Sequence, residues 1–223
     1  MDEVTQDQVE AGQAVYGKLT LAAYDKLVLG VSCSYLWRCD AATLLARYDR
    51  LVSNNHLDVG VGSGYFLDHC RFPSKTPRVA LMDLNESSLA HTAQRISRYN
   101  PECYRRNVLE DMTVSGKAFN SVGMNLLLHC VPGDFAYKGR IFDHALTVMA
   151  PGAVLFGATI VSQGIKANWF ARRLMNLYVR KGIFSNQHDS ADALRAELEA
   201  RFVDVQVEVK GCMALFSARA ASE

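Results

Sequence analysis

Asp58, Gly60, Gly62 and Gly64 stand at alternate positions in HLDVGVGSGYF, residues 56–66, behind an apolar run. Glycines spaced like this at a strand end let the backbone pass close under a ligand. A helix opening at Ser63 or Tyr65 would add free N–H groups and a positive dipole end. The stretch therefore reads as a cofactor loop. The dinucleotide pattern G-x-G-x-x-G/A needs a small residue where Tyr65 stands, and a Tyr there obstructs helix–strand packing. No Gly-Lys-Ser/Thr follows, so the triphosphate loop is absent too. A glycine turn without a ligand is the remaining alternative.

Such a loop must be held by a sheet. Apolar runs at 56–59, 78–83, 102–107, 119–127 and 153–161 read as strands. Amphipathic stretches lie between them. In NESSLAHTAQRISRYN, Asn85 and the serines can cap while Leu89, Ala93 and Ile96 share a face. Phe135 to Ala150 forms a second such stretch. This alternation predicts an α/β fold with a mostly parallel sheet and helices on both faces. The end differs: FVDVQVEVKG alternates apolar and polar residues, and CMALFSARA follows at once. Lys210-Gly211 makes a tight turn there, so a terminal antiparallel hairpin is expected.

Two further segments flank the sheet. Residues 1–39 read as an N-terminal helical cap, and residues 40–223 as the core of one single domain. Residues 164–184 read as a lid helix with Trp169, Phe170, Leu174, Leu177 and Tyr178 near one face. Arg172, Arg173, Arg180 and Lys181 fall largely on the other. Ligands of open α/β sheets bind at the C-terminal strand edge that such segments can cover.

A net charge of +1 gives no global electrostatic case for nucleic acid or acidic lipid, although a local basic patch stays open. The six cysteines lack C-x-x-C spacing, which points to reduced thiols in a cytoplasmic protein rather than to zinc or disulfides. The N-terminus MDEVTQDQVE is acidic, unlike a secretory signal. No apolar run approaches the roughly 18 residues that span a bilayer. No nucleic-acid or membrane partner is expected, and oligomeric state is open.

The loop and its neighbours resemble the class I S-adenosylmethionine-dependent methyltransferases. Asp58, Gly60, Gly62 and Gly64 match that family's acidic residue followed by G-x-G-x-G. RVALMDLN resembles its second strand, ending in Asp83 with Leu84 beside it. RRNVLEDM resembles the adenine-flanking segment, with Asn107 where an Asp is usual and Val108 next to it. FNSVGMNLLLHCVPG and MAPGAVLFGATIV resemble its fourth and fifth strands, and the hairpin its reversed seventh strand. The match covers roughly residues 40–220.

The resemblance implies a Rossmann-like seven-stranded sheet and S-adenosyl-L-methionine as cofactor. It implies that Asp83 accepts the ribose hydroxyls. It implies that Gly60 and Gly62 pass under the methionine portion, with Ser63 opening the next helix. Asp58 would support the glycine turn or, through a water, the cofactor ammonium. Asn107 would meet the adenine amino group, and Asn125 the methionine end. Tyr16 and Trp37 of the cap are expected to contact the cofactor. No metal is needed.

His129, after the fourth strand, is the candidate general base, against the alternative of a histidine that caps the strand end. His69, His91, His144 and His188 read as surface or structural residues. The acceptor is expected to be a small, partly apolar metabolite, methylated at oxygen by in-line displacement. Resembling enzymes that methylate nucleobase or amide nitrogen often carry N-P-P-Y or D-P-P-Y after the fourth strand, and the resemblance therefore implies another acceptor where NLLLHCVP stands instead. Two other classes stand beside this reading: a non-catalytic cofactor-binding or partner-binding protein of the same fold, and a nicotinamide-dependent oxidoreductase, disfavoured by Tyr65.

Overall fold

The computed structural model describes residues 33–222. Its order is α1 (Ala41–Leu51), β1 (Asn55–Val59), α2 (Tyr65–His69), β2 (Arg78–Asp83), α3 (Glu86–Arg95), β3 (Glu102–Arg105), β4 (Phe119–Asn125), α4 (Phe135–Lys138), α5 (Arg140–Leu146), β5 (Met149–Ile160), α6 (Trp169–Arg180), α7 (Ala191–Glu199), β6 (Val203–Lys210) and β7 (Met213–Arg219). The seven strands form one sheet, β3-β2-β1-β4-β5-β7-β6. The first five strands run parallel, and β7 lies antiparallel between β5 and β6. This is the Rossmann-like sheet with a reversed terminal hairpin that the sequence predicts.

β1, β2 and β4 are buried almost throughout because helices cover both faces. On one face Phe135, Phe142, Leu194 and Leu198 from α4, α5 and α7 join Leu57, Val122 and Phe216 of the sheet. On the other, Tyr48, Leu67, Leu89 and Ile96 pack on Val79, Leu81 and Phe156. Short polar side chains start the helices. Asp40, Asn85, Asn168 and Ser190 each accept a backbone N–H three residues on, at 2.7–3.1 Å.

Some boundaries differ from the sequence reading. β3 stops at Arg105 because the Asn107 side chain turns the chain, accepting the Leu109 N–H at 3.1 Å. β4 stops at Asn125 because Leu126 takes the left-handed conformation, φ +57°. The amphipathic stretch 135–150 is broken at Gly139 into α4 and α5, and its end pairs as the start of β5, Phe119 opposite Met149.

One ion pair fixes the loop between α6 and α7. Lys138 at the end of α4 and Asp189 are both fully buried, with Nζ 2.6 Å from Oδ2. Lys138 Nζ also donates to the Ser185 carbonyl at 2.8 Å. The Asp189 carbonyl accepts the N–H groups of Ser162 and Gln163 after β5. Removing one partner of such a pair strands a buried charge, whereas removing both costs far less. Lys138→Met is expected to destabilise the fold by about 3–5 kcal/mol, and Lys138→Met with Asp189→Leu to regain most of it. Urea unfolding of both variants measures this; equal losses would show that the pair is not what holds the loop.

Candidate active site

A cleft opens at the C-terminal ends of β1, β2 and β4, where the strand order reverses. Ligands of open α/β sheets bind at this switch point. The glycine loop forms its floor. Gly60, Gly62 and Gly64 all hold positive φ, at 74°, 53° and 73°. A Cβ at Gly60 would lie 2.8 Å from Leu127, and one at Gly64 2.8 Å from Thr92. At Gly62 it would meet nothing within 4 Å, so that backbone faces open space. α3 clamps the loop: Thr92 Oγ1 donates to the Gly62 carbonyl at 3.2 Å, and an Arg95 guanidinium N–H to the Ser63 carbonyl at 3.1 Å. The helix after the loop is only the five-residue α2, so its dipole contributes little there.

Beneath the loop lies a buried polar chain. The Tyr48 hydroxyl donates to Asp58 Oδ2 at 2.6 Å. His56 Nε2 lies 3.4 Å from the same oxygen, and its Nδ1 lies 2.9 Å from Ser121 Oγ. Burial, with the Asp58 charge next, holds the Tyr48 phenol well above its ordinary pKa. Tyr48 therefore stays a neutral donor. Tyr48 and Asp58 both reach the cleft wall. The sequence reading missed Tyr48 and His56. The signal was present in part, since His56 and Asp58 are two apart and so share one face of β1.

Asp83 ends β2 on the cleft wall. Its Oδ1 accepts the Asn85 N–H at 2.8 Å. Burial pushes its carboxyl up to about 6, against the pull of N–H groups of Asn85, Val61, Gly62 and Leu84. Leu84, Asn107 and Val108 line the wall beside it. The Asn107 amide is engaged locally: its oxygen takes the Leu109 N–H, and its nitrogen donates to Glu110 at 3.1 Å. Asn125, 8% exposed, also lines the cleft beside the Tyr48 hydroxyl. Its Nδ2 is buried with no well-formed hydrogen bond among the described residues. A buried donor of this kind calls for a ligand partner. Leu126, Leu127, Cys130, Val131 and Pro132 complete an apolar arc.

The structure thus brings Asp58, Gly60, Gly62, Ser63, Asp83, Leu84, Asn107, Val108 and Asn125 together on one wall. It does not bring His129 there. Leu128–Cys130 is a 3-10 turn, in which residues three apart eclipse. Leu127 and Cys130 therefore share the cleft side, and His129 turns away. Its ring is 4% exposed and packs edge-on against Phe184, centroids 4.6 Å apart. Its Nδ1 lies 3.4 Å from the Ile160 N–H and from Thr159 Oγ1. Burial, then Lys138, pushes its pKa down to about 3. The other five histidines are also described, and none lies on the cleft wall.

Trp37 is likewise off the wall. It is 2% exposed, 6.1 Å from the Phe184 ring, and its carbonyl accepts the Cys212 N–H. A Cβ at Gly211 would lie 2.2 Å from that carbonyl, so Trp37 sits over the hairpin turn, beyond β5. Tyr16 lies outside the described residues.

The residues that are present suit S-adenosylmethionine. The cleft offers a carboxylate for a diol, a buried amide donor beside the Tyr48 hydroxyl, and a floor bare of side chains at Gly62. Comparison with known proteins agrees with that fit. Residues 36–219 match the family model described as a methyltransferase domain. The chain is 42% identical over 97% of its length to the demethylluteothin O-methyltransferase of Streptomyces thioluteus, covering 94% of that protein. It is 36% identical over 94% of its length to the physcion biosynthesis cluster O-methyltransferase of Aspergillus chevalieri, covering 95% of it. Its fold superposes on the solved DhpI–SAH complex with a TM-score of 0.71, at 16% identity, over 99% of this chain and all of the other. The chain belongs to the methyltransferase-domain family and is a class I S-adenosylmethionine-dependent methyltransferase.

Proposed function

We propose that this enzyme methylates the hydroxyl of a small, partly apolar acceptor, and that it does so without a histidine base. Bound S-adenosylmethionine would supply an electrophilic methyl group. Asp83 would hold the ribose hydroxyls and Asn125 Nδ2 the methionine end, with Gly62 leaving room for the cofactor. Asp58, hydrogen-bonded by Tyr48 and flanked by His56, would face a cationic amine. The apolar arc from Leu126 to Pro132 would orient the acceptor and exclude water, and orientation alone lowers a displacement barrier substantially. The observation that carries the base-free reading is the cleft wall without histidine. It fits an acceptor hydroxyl acidic enough to ionise near neutral pH, such as a phenol or enol. The choice of oxygen is supported by the two O-methyltransferases matched above. Incubation with S-adenosylmethionine and matched phenol, enol, alcohol and amine probes tests it by mass. Methylation confined to the amines would overturn it.

Two measurements follow from the wall itself. Asp83 must ionise to accept two hydroxyls, and its carboxyl sits near 6. Affinity for S-adenosylhomocysteine should be flat above about pH 7. Below pH 6 it should fall by up to about tenfold per unit, because protonation and binding then compete. Asp83→Asn should flatten that profile and weaken binding at pH 8 by about 1–3 kcal/mol. The stability sign is opposite. A folded carboxyl raised above its usual value makes ionisation costly to the fold, so stability is lost as pH rises from the ordinary carboxylate range through 6. Calorimetric titration across pH decides the binding claim, and a profile that Asp83→Asn leaves unchanged would refute it.

For His129→Asn, the expected result is turnover within about tenfold of the parent, an unchanged pH–rate profile and a lower Tm. A general base would instead cost about 100-fold or more in turnover and remove an inflection. That outcome would return the histidine to the mechanism.

A further inference from the structure

The outer face of α6 plays no part in the cleft. Ala171 and Met175 bury the inner face against Ile160, Met213 and Leu215. Outside, Trp169 is 59% and Phe170 65% exposed, with their rings 4.8 Å apart. The Arg173 guanidinium lies 5.7 Å from the Trp169 ring. Lys166, Arg172, Arg173, Arg180 and Lys181 are all exposed, and none forms an ion pair with a described residue. Residues 164–184 hold these five cations and no acid, leaving 19 cations against 23 acids, a net −4, over the rest of the chain.

Ordinary soluble surfaces intersperse both signs and expose large apolar side chains singly. Unlike the sequence reading, which put the aromatics and the cations on different faces, the structure sets this aromatic pair beside cations that lack an ion-pair partner among the described residues. Its chemistry complements an anionic surface that accepts aromatic rings. A 12-residue helix is about 18 Å long. A lipid surface demands no shape match: cations draw the helix to anionic headgroups, and the aromatic side chains enter the interface.

We propose that α6 docks this protein on anionic lipid surfaces through Trp169 and Phe170, with Arg172, Arg173 and Arg180 on the headgroups. This is a peripheral contact, since among the described residues no helix is long and apolar enough to cross a membrane. The inner side of α6 packs in the same apolar cluster as Leu126 and Cys130 of the cleft wall. A lipid-dissolved acceptor would thus meet the enzyme near its acceptor arc. That last consequence rests on the proposed function, whereas the docking does not.

The test is co-sedimentation of the full chain with vesicles of equal parts phosphatidylglycerol and phosphatidylcholine, and with phosphatidylcholine alone. Binding is expected only to the anionic vesicles in low salt, and should disappear near 1 M salt, where the screening length is about 3 Å. Trp37 is buried and Trp169 exposed, so a blue shift of emission on binding reports Trp169. W169S/F170S and R172E/R173E should each cut partitioning by about tenfold or more, with affinity for S-adenosylhomocysteine unchanged. No binding to anionic vesicles in low salt overturns the proposal. So does binding that survives both variants, or capture of an acidic polyglutamate peptide in place of vesicles. Loss of S-adenosylhomocysteine affinity in the parent chain would indict the cofactor assignment instead.

Discussion

The site depends on one buried charge, the Asp58 carboxylate at the centre of the sheet. Asp58 is 4% exposed on a strand covered on both faces. An unpaired carboxylate there would cost several kcal/mol. Tyr48 from α1 and His56 from β1 answer it, and His56 in turn leans on Ser121 of β4. Ser121 also takes the Ser53 N–H, ahead of β1. One carboxylate therefore ties α1, β1 and β4 together at the point where the strand order reverses. It also dictates residues around it. A Cβ at Gly123 would lie 3.1 Å from Asp58 Oδ2 and 3.2 Å from the His56 ring, so β4 crosses the network with a glycine. Phe66 stacks on Tyr48 at 5.1 Å, and Phe156 meets its edge at 5.0 Å, which holds the phenol in line.

The glycine loop follows from the same economy of polar groups. A phosphate cradle works by leaving backbone N–H groups free for an anion. Here the Val61 and Gly62 N–H groups point to the Asp83 carboxylate. With the Asp83 carboxylate set beside these N–H groups, a pyrophosphate in the loop would face its negative charge. A carboxylate set in this way suits hydroxyl donors. The three glycines are therefore compatible with a nucleoside lacking phosphates, and the shortness of α2 costs the site nothing.

Much of this was legible from residue types. Short apolar runs located the core strands, and the period-two alternation of FVDVQVEVKG exposed the reversed hairpin. Asp58, Asp83 and the glycines are fixed by chain position at strand ends, so their place on the wall follows from topology alone. What the sequence did not show depends on rotation about a local axis. His129 stands in the right loop, yet a 3-10 turn points it at β5. Trp37 stands before α1 as expected, yet its backbone is seated on the Gly211 turn. Asn107 keeps its place but spends its amide on Leu109 and Glu110. Tyr48 and His56 were passed over because their role comes from a contact across three elements, which no spacing in one segment reveals.

Those corrections change what the wall can do as pH varies. Burial keeps the Tyr48 phenol protonated and pushes the Cys130 thiol up to about 12. It also holds the His129 ring neutral, down to about 3. None of these groups changes charge near neutrality. The Asp189 carboxyl, raised to about 6 by burial, is off the wall and is held toward ionisation by Lys138. Among the described wall residues with a displaced pKa, only Asp83 titrates close to the neutral range. The polar floor therefore presents fixed dipoles and a fixed Asp58–Tyr48 pair to whatever binds, and fixed dipoles need no reorganisation when charge moves. Under the proposed function such a site would gain rate from placement and dryness, and Asp83, raised to about 6, would sit where the ribose is held.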